Sequence, residues 1–185
     1  LISRPAVSEM IKKMSAAGLV KLNGNEISLT KSGLKLANQV VRRHRLAERF
    51  LTDILGLSWA EAHHEAGKWE HVVSPRVEEA FLRLLEDPTT CPHGNPIPGS
   101  AYKTPEGVSY LCEINVGGTF TIERIPEELE FQPGILEFLE KSQLIPGANG
   151  VVSSIAEDGT TVVDVDGTQV GIEPFASNRI LVSSC

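Results

Sequence analysis

No apolar run in this 185-residue sequence approaches the ~20 residues that a membrane-spanning helix needs, and its first residues show no basic-then-apolar signal pattern. The expectation is a soluble, cytoplasmic protein with no membrane partner. Cysteine is scarce: Cys91, Cys112 and Cys185 are odd in number and far apart, which argues against a disulfide framework and fits reduced thiols. Positive charge is also in deficit. A net charge of -7 taken alone speaks against a nucleic-acid partner, since phosphate binding needs cations at the contact face.

That deficit is uneven. Residues 1 to 50 carry ten Lys or Arg against Glu9, Glu26 and Glu48, a local balance of +7, so the other 135 residues hold -14. A basic module joined to an acidic remainder suits a DNA reader attached to a carboxylate-rich sensing body, although a solvated basic helix face has the same composition. With 41% hydrophobic residues there is enough apolar surface for ordinary cores, in one large domain or two to three small ones.

Ser3 and Pro5 open a short amphipathic helix with Val7, Ile11 and Met14 on one face, and Gly18 ends it. Leu19–Leu22 and Ile27–Thr30 then read as two strands about an Asn23-Gly24 turn. A helix followed by a small hairpin is the second half of a winged helix-turn-helix, so the sequence is expected to begin at the recognition helix, without the preceding scaffold helices. Thr30 caps a long helix that runs past Ile54 to a stop at Gly56. Ser58 with Glu61 forms a capping box for a second helix reaching about Val73, and Ser74-Pro75 opens a third that ends near Asp87-Pro88. So much apolar helix surface predicts a homodimer built on these helices.

From 87 to 107 the sequence is rich in proline and glycine and reads as a linker. Beyond it, six short β-prone runs separated by Gly, Asp and Asn predict a small β-barrel, with tight hairpins at Asp158-Gly159 and Asp166-Gly167 and one helix near residues 134–143. The expected class is α+β: a partial winged helix-turn-helix (1–34), a helical dimerisation domain (35–88), a linker (89–107) and a β-barrel domain (108–185).

His44 and Glu48 lie four residues apart and so project from one helix face, where they can share a cation. The next helix carries His63, Glu70 and His71, which bring imidazole and carboxylate to an adjacent face. Such donors suit Fe(II), Mn(II), Co(II), Ni(II) or Zn(II). Taken singly, His44 with Glu48 is equally a surface i,i+4 pair, and His71 a satisfied core histidine.

Three runs, His44-Arg45-Leu46-Ala47-Glu48-Arg49-Phe50-Leu51, His63-His64-Glu65-Ala66-Gly67-Lys68-Trp69-Glu70-His71 and Gly94-Asn95-Pro96-Ile97-Pro98-Gly99, resemble the iron-dependent repressor (diphtheria-toxin-repressor) family. The likeness extends over residues 3 to about 100 and is looser over 108–185; it implies that 35–88 binds metal as well as forming the dimer, and that 108–185 is an SH3-like domain. It implies a metal-dependent repressor that binds a double-stranded DNA operator as a homodimer, responds to Fe(II) or Mn(II), and uses no catalysis. It also implies two metal sites. His44, Glu48 and His63 match an ancillary site that the third domain completes, with Glu127 and Glu130 at the corresponding places. Glu70 and His71 match a primary site, at which Gly67 departs from the family's cysteine or carboxylate and leaves a backbone carbonyl or a water as donor. The DNA-contacting set implied is Ser3, Arg4, Pro5, Ala6, Ser8, Glu9 and Lys12, with Glu9 standing where relatives often carry glutamine. A di-metal hydrolase using the same His and Glu cluster, and a dimeric interaction module with incidental metal, are the competing functions.

Overall fold

The Ser3 hydroxyl accepts from the Ala6 amide at 3.4 Å and starts α1 (Arg4–Ala16), with Pro5 in the first turn where its ring costs no hydrogen bond. The computed structural model describes residues 3–24 and 26–184, so the expected thiol of Cys185 lies outside the described residues. Past α1 the chain returns as an antiparallel hairpin of β1 (Val20–Asn23) and β2 (Glu26–Leu29). Asn23 pairs with Glu26, so the connection begins at Gly24, one residue later than the Asn23-Gly24 turn expected. Gly24, at φ +60°, supplies the positive φ that a two-residue hairpin connection needs at its first position.

The Thr30 hydroxyl fastens this wing to α2 (Lys31–Arg49): it donates to the Gly18 carbonyl (2.6 Å) and accepts from the Gly33 amide (3.0 Å). Helix α2 continues as a π-helical turn, Phe50–Ile54, to the stop at Gly56. The Ser58–Glu61 capping box forms as expected and starts α3 (Trp59–Trp69), which ends before the predicted Val73. The chain turns over residues 70–72, which packs Val73 into the cluster with Leu46 and Phe81, and Ser74, extended before Pro75, caps α4 (Pro75–Leu84). His71 therefore sits on a turn, not on the helix.

The segment expected as a linker contains no helix or named strand, yet it is packed. Residues 91–95 and Ile97 are buried, and the loop closes on itself through Cys91 N–H to Asn95 C=O (2.9 Å) and Gly94 N–H to Cys91 C=O (3.0 Å). Its His93 carbonyl accepts from the Ile125 amide at 2.8 Å.

The C-terminal part is a six-stranded antiparallel sheet of β3 (Val108–Tyr110), β4 (Thr119–Arg124), β5 (Asn149–Ile155), β6 (Thr161–Val165), β7 (Thr168–Ile172) and β8 (Leu181–Ser184), in the order β3-β8-β4-β5-β6-β7. Val165 pairs with Thr168 across Asp166 and Gly167, both at positive φ, which is the tight hairpin the sequence predicts. Between β4 and β5 the chain forms α5 (Glu127–Glu130) and α6 (Ile135–Lys141), and α7 (Pro174–Ser177) precedes β8. Single turns such as α5 and α7 are too short for hydrophobic periodicity to register.

One buried cluster fills this domain, around Phe120, Ile122, Leu139, Val163 and Val182, and Trp59 of α3 belongs to it. Two smaller clusters, around Leu46, Phe81 and Ile97 and around Ala47, Leu51, Ala62 and Ala66, hold the helices together.

Gly94 ties the loop to the sheet: it has φ +82°, and a Cβ there would collide with the Glu123 carbonyl. Gly94→Ala should therefore destabilise the chain by about 2–4 kcal/mol, from positive φ and backbone overlap together. At Gly67 a Cβ meets nothing within 4 Å among the described residues, so Gly67→Ala should be neutral or stabilising by up to about 1 kcal/mol. Equal effects in chemical denaturation would contradict the close approach at Gly94.

Candidate metal centre

The small residue Ala47 of α2 meets Ala62 and Ala66 of α3 at full burial, so the two helices run close together. One turn of α2 then presents His44 and Glu48 directly to His63. The His44 Nε2 atom is 3.1 Å from Glu48 Oε1 and 3.3 Å from His63 Nδ1, and His63 Nδ1 is 2.9 Å from Glu48 Oε1. From the sheet domain, α5 brings in Glu130, whose Oε2 lies 3.4 Å from His63 Nδ1. Ligand atoms of His44, Glu48, His63 and Glu130 all fall within 4.8 Å of one another. Two imidazole nitrogens and two carboxylates at that separation are a fitting donor set for a borderline divalent transition cation.

The electrostatics follow from burial. Glu48 is 1% exposed, and an isolated carboxylate at that depth would be costly. Burial is the largest influence on it and would raise its pKa; hydrogen bonds from His44 and His63, with the charge of His93, outweigh that and hold it well below the usual carboxylate range. Burial is likewise the largest influence on His44, acting to depress it, but Glu48 and Glu70 together raise it to about 9. His63 is raised chiefly by its hydrogen bond to Glu48.

Glu127, three residues before Glu130, goes elsewhere. Its carboxylate is 43% exposed and pairs with Arg45 at 2.6 Å, while the same guanidinium also donates to the Pro96 carbonyl. Of the two acidic side chains expected from the third domain, the structure brings one among the imidazoles.

Glu70, His71 and Gly67 were expected to form a separate site. Glu70 instead reaches His44 directly, Oε2 to Nδ1 at 2.7 Å, and its Oε1 lies 3.1 Å from His71 Nε2. His71, 67% exposed on its turn, is the outer end of a continuous chain that runs through Glu70 and His44 to Glu48. Gly67 lines the same cavity of about 400 Å³ as His44, Glu70 and Glu130.

Sequence reasoning missed three groups. His93, fully buried and edge-on to Trp59 with ring centroids 4.6 Å apart, places Nδ1 3.1 Å from Glu130 Oε1. Asn95 donates to that same oxygen at 2.7 Å, and buried Cys91 lies beside His93. The available signal was a Cys and a His two residues apart in a segment set aside as a linker. At the other end of the chain, Ser3, Arg4, Pro5, Ala6, Ser8, Glu9 and Lys12 are all exposed along α1, and Glu9 pairs with Lys13 at 2.9 Å.

Comparison with known proteins places this architecture among metal-dependent transcriptional repressors. The model of the iron dependent repressor, metal binding and dimerisation domain matches residues 30–99. The iron-dependent repressor IdeR of Mycobacterium tuberculosis is 36% identical over 172 residues, covering 87% of this chain and 75% of that protein. The diphtheria toxin repressor of Corynebacterium jeikeium is 43% identical over 189 residues, covering 97% and 79%. Among solved structures, a manganese-dependent transcriptional repressor in complex with manganese superposes with a TM-score of 0.85 at 33% identity, covering all of this chain and 86% of that one. The chain belongs to the iron-dependent repressor family. Its α+β organisation, a helical region followed by an SH3-like domain, is that of these neighbours, and a repressor role replaces the hydrolase alternative.

Two outcomes follow from the geometry. Glu130→Gln should weaken divalent-cation binding by at least about the 10- to 100-fold that loss of an outer-sphere partner costs, whereas Glu127→Gln should leave it nearly unchanged; calorimetric titration of both variants compares them directly. Because His44 holds a proton up to about pH 9 in the cation-free chain, a cation that takes its nitrogen must displace that proton. Affinity should therefore rise between pH 6.5 and 8.5 with net proton release, and titrations in buffers of differing ionisation enthalpy that show no release would contradict this.

Proposed function

We propose that this chain is a cytoplasmic, metal-activated repressor of metal-homeostasis genes that binds operator DNA as a homodimer. The observation that carries this is the convergence of His44, Glu48 and His63 from two helices with Glu130 from the sheet domain. A cation held there would supply positive charge among buried carboxylates and bridge α2, α3 and α5. His44, Glu48, His63 and Glu130 are assigned to one position. Glu70 and His71, with the carbonyl of Gly67 or a water, are assigned to a second, solvent-facing one, and Glu127 to the salt bridge that holds α5 against α2.

Iron(II) or manganese(II) is the activating ion, with cobalt, nickel and zinc as surrogates. Relatives named as iron-dependent and manganese-dependent repressors support both, and a neighbour solved with bound Cd2+ shows that such a fold accepts other divalent ions. Domain limits of 1–34, 35–88 and 108–185 are retained, with residues 89–107 serving as a packed connector. The exposed face of α1 is assigned to the major groove, Ser3 and Ser8 contacting phosphate and Pro5, Ala6 and Glu9 facing bases, while Arg4 and Lys12 add positive charge. Self-association is assigned to the helical region, which leaves Leu34, Leu36, Ile54, Leu55 and Leu84 about half exposed in the single chain. Among the described residues no helix is long and apolar enough to cross a membrane.

Metal-dependent gel shift by the chain with its natural upstream residues tests the whole reading: DNA binding should appear with Mn(II) or Fe(II) and vanish with a chelator. Light scattering at micromolar concentration with metal present should report a dimer, and a monomer would contradict the assigned interface. Lys12→Ala should weaken binding about equally on all sequences and lower the salt slope by about 1 if Lys12 neutralises one phosphate. Gly67→Cys should tighten Co(II) or Zn(II) more than Mn(II), and Gly67→Ala should not; identical behaviour of both variants toward every ion would remove residue 67 from the regulatory position.

A further inference from the structure

Residues 108–185 hold twelve acidic side chains and three basic ones, Arg124, Lys141 and Arg179. Two of those three, Arg124 and Arg179, line one cavity of about 560 Å³ on the sheet domain, together with Tyr110, Asn178, Leu181 and Glu128. His44, Glu48, His63 and Glu130 take no part in lining it, so the cavity is distinct from the metal centre.

A β-bulge puts Arg124 there. Ile122 faces the core at full burial, and strict alternation along β4 would send Arg124, two residues on, to the same apolar side. Between them the register shifts: Ile122 pairs with Val182, but Arg124 pairs with Leu181, the neighbouring residue of β8. Arg124 therefore shares a face with Leu181, and with Tyr110, which pairs with Leu181 from β3. Three adjacent strands thus carry Tyr110, Leu181 and Arg124 in a row along one wall of the cavity. Bulges re-aim side chains in this way beside functional sites.

Arg179 arrives from the turn after α7. Its guanidinium stacks 4.1 Å from the centre of the Phe175 ring and donates to the Phe175 carbonyl at 2.9 Å, which orders it and leaves further N–H donors for a ligand. The Nε of Arg124 is buried with no hydrogen-bond partner, and neither guanidinium pairs with a carboxylate among the described residues. In a domain so rich in carboxylates, two neighbouring guanidiniums left without one form a local positive site in a negative field. A buried donor without an acceptor also calls for a partner from outside the protein.

We propose that this cavity binds a small oxyanion, a phosphate or a carboxylate, between the guanidinium forks of Arg124 and Arg179. Each fork presents paired N–H donors to two oxygens of such a ligand. The Tyr110 hydroxyl and the Asn178 amide add neutral donors at the edge. The volume is that of a small-molecule site. Glu128, on the opposite wall, repels an anion held there and so limits its affinity.

The test titrates the cation-free full chain, labelled with nitrogen-15, with inorganic phosphate and separately with succinate at constant ionic strength. The Nε–H resonances of Arg124 and Arg179 should shift together and saturably. Saturation by phosphate alone identifies a phosphate ligand, by succinate alone a carboxylate, and by both a site that reads the shared oxyanion chemistry. Arg124→Lys and Arg179→Lys keep the charge but lose the fork, and each should weaken binding about tenfold. Glu128→Gln should tighten it. The titration of the unsubstituted chain depends on no variant, so a variant that fails to fold does not leave the question open. Shifts that stay linear with both anions overturn the proposal, as does saturable binding that both lysine variants leave unchanged. If neither anion saturates and the lysine variants instead weaken operator binding in a gel shift, the two arginines serve DNA phosphate and the small-ligand site is overturned.

Discussion

A single buried carboxylate organises this molecule. Glu48 lies at full burial between two helices and is stable there because imidazoles surround it, His44 from its own helix, His63 from the next and His93 from the connector. Removing any of these partners would leave charge uncompensated in a low-dielectric setting, where the penalty is several kcal/mol. The helix packing depends on this too, since Ala47, Ala62 and Ala66 bring α2 and α3 close enough for one carboxylate to reach both imidazoles. A larger side chain at any of these alanines would separate the donors as well as strain the core.

Around that centre, the helical region and the sheet domain are joined by polar contacts as much as by packing. Glu130 meets His63, His93 and Asn95; Glu127 meets Arg45; and the Trp59 amide donates to Glu140 of α6 at 3.2 Å. Trp59 itself, at the start of α3, is part of the sheet domain's own core. Each of these contacts joins a polar group of the helical region or the connector to one of the sheet domain. Cation binding at His44, Glu48, His63 and Glu130 would therefore act on the domain arrangement and not only on a local loop. At the opposite end, the Thr30 and Gly33 contacts mount the wing on α2, the helix that carries His44 and Glu48, so one rigid element runs from the exposed basic helix to the metal centre.

Much of this could be read from the sequence, for identifiable reasons. Helix starts at Ser3, Thr30, Ser58 and Ser74 and the hairpin at Asp166-Gly167 were legible because capping and tight turns are local chemistry, decided by residues within a few positions of one another. His44 with Glu48 was legible because their four-residue spacing alone places them on one helix face. The end of α3 was not, because the apolar pattern runs on through Val72 and Val73, while the chain turns at 70–72 and Val73 packs with Leu46 and Phe81, a tertiary contact. The connector was misjudged because proline and glycine usually mark exposed segments, and only the approach of β4 to Gly94 reveals that this one is buried.

The sequence by itself therefore determined the strands and the longer helices, the fold class, the family and the imidazole–carboxylate pair on α2, all of which follow from short-range spacing or from runs of residues along the chain. Only the tertiary structure decided that Glu130 joins that pair while Glu127 turns to Arg45, that Glu70 reaches His44, and that Cys91 and His93 stand behind the same carboxylates. These outcomes depend on which side chains meet at separations of 26 to 82 positions along the chain, and on a competition among Arg45, His63, His93 and Asn95 for two carboxylates one helical turn apart. Such competition is settled by packing distance and burial, which the order of residues along the chain does not encode locally.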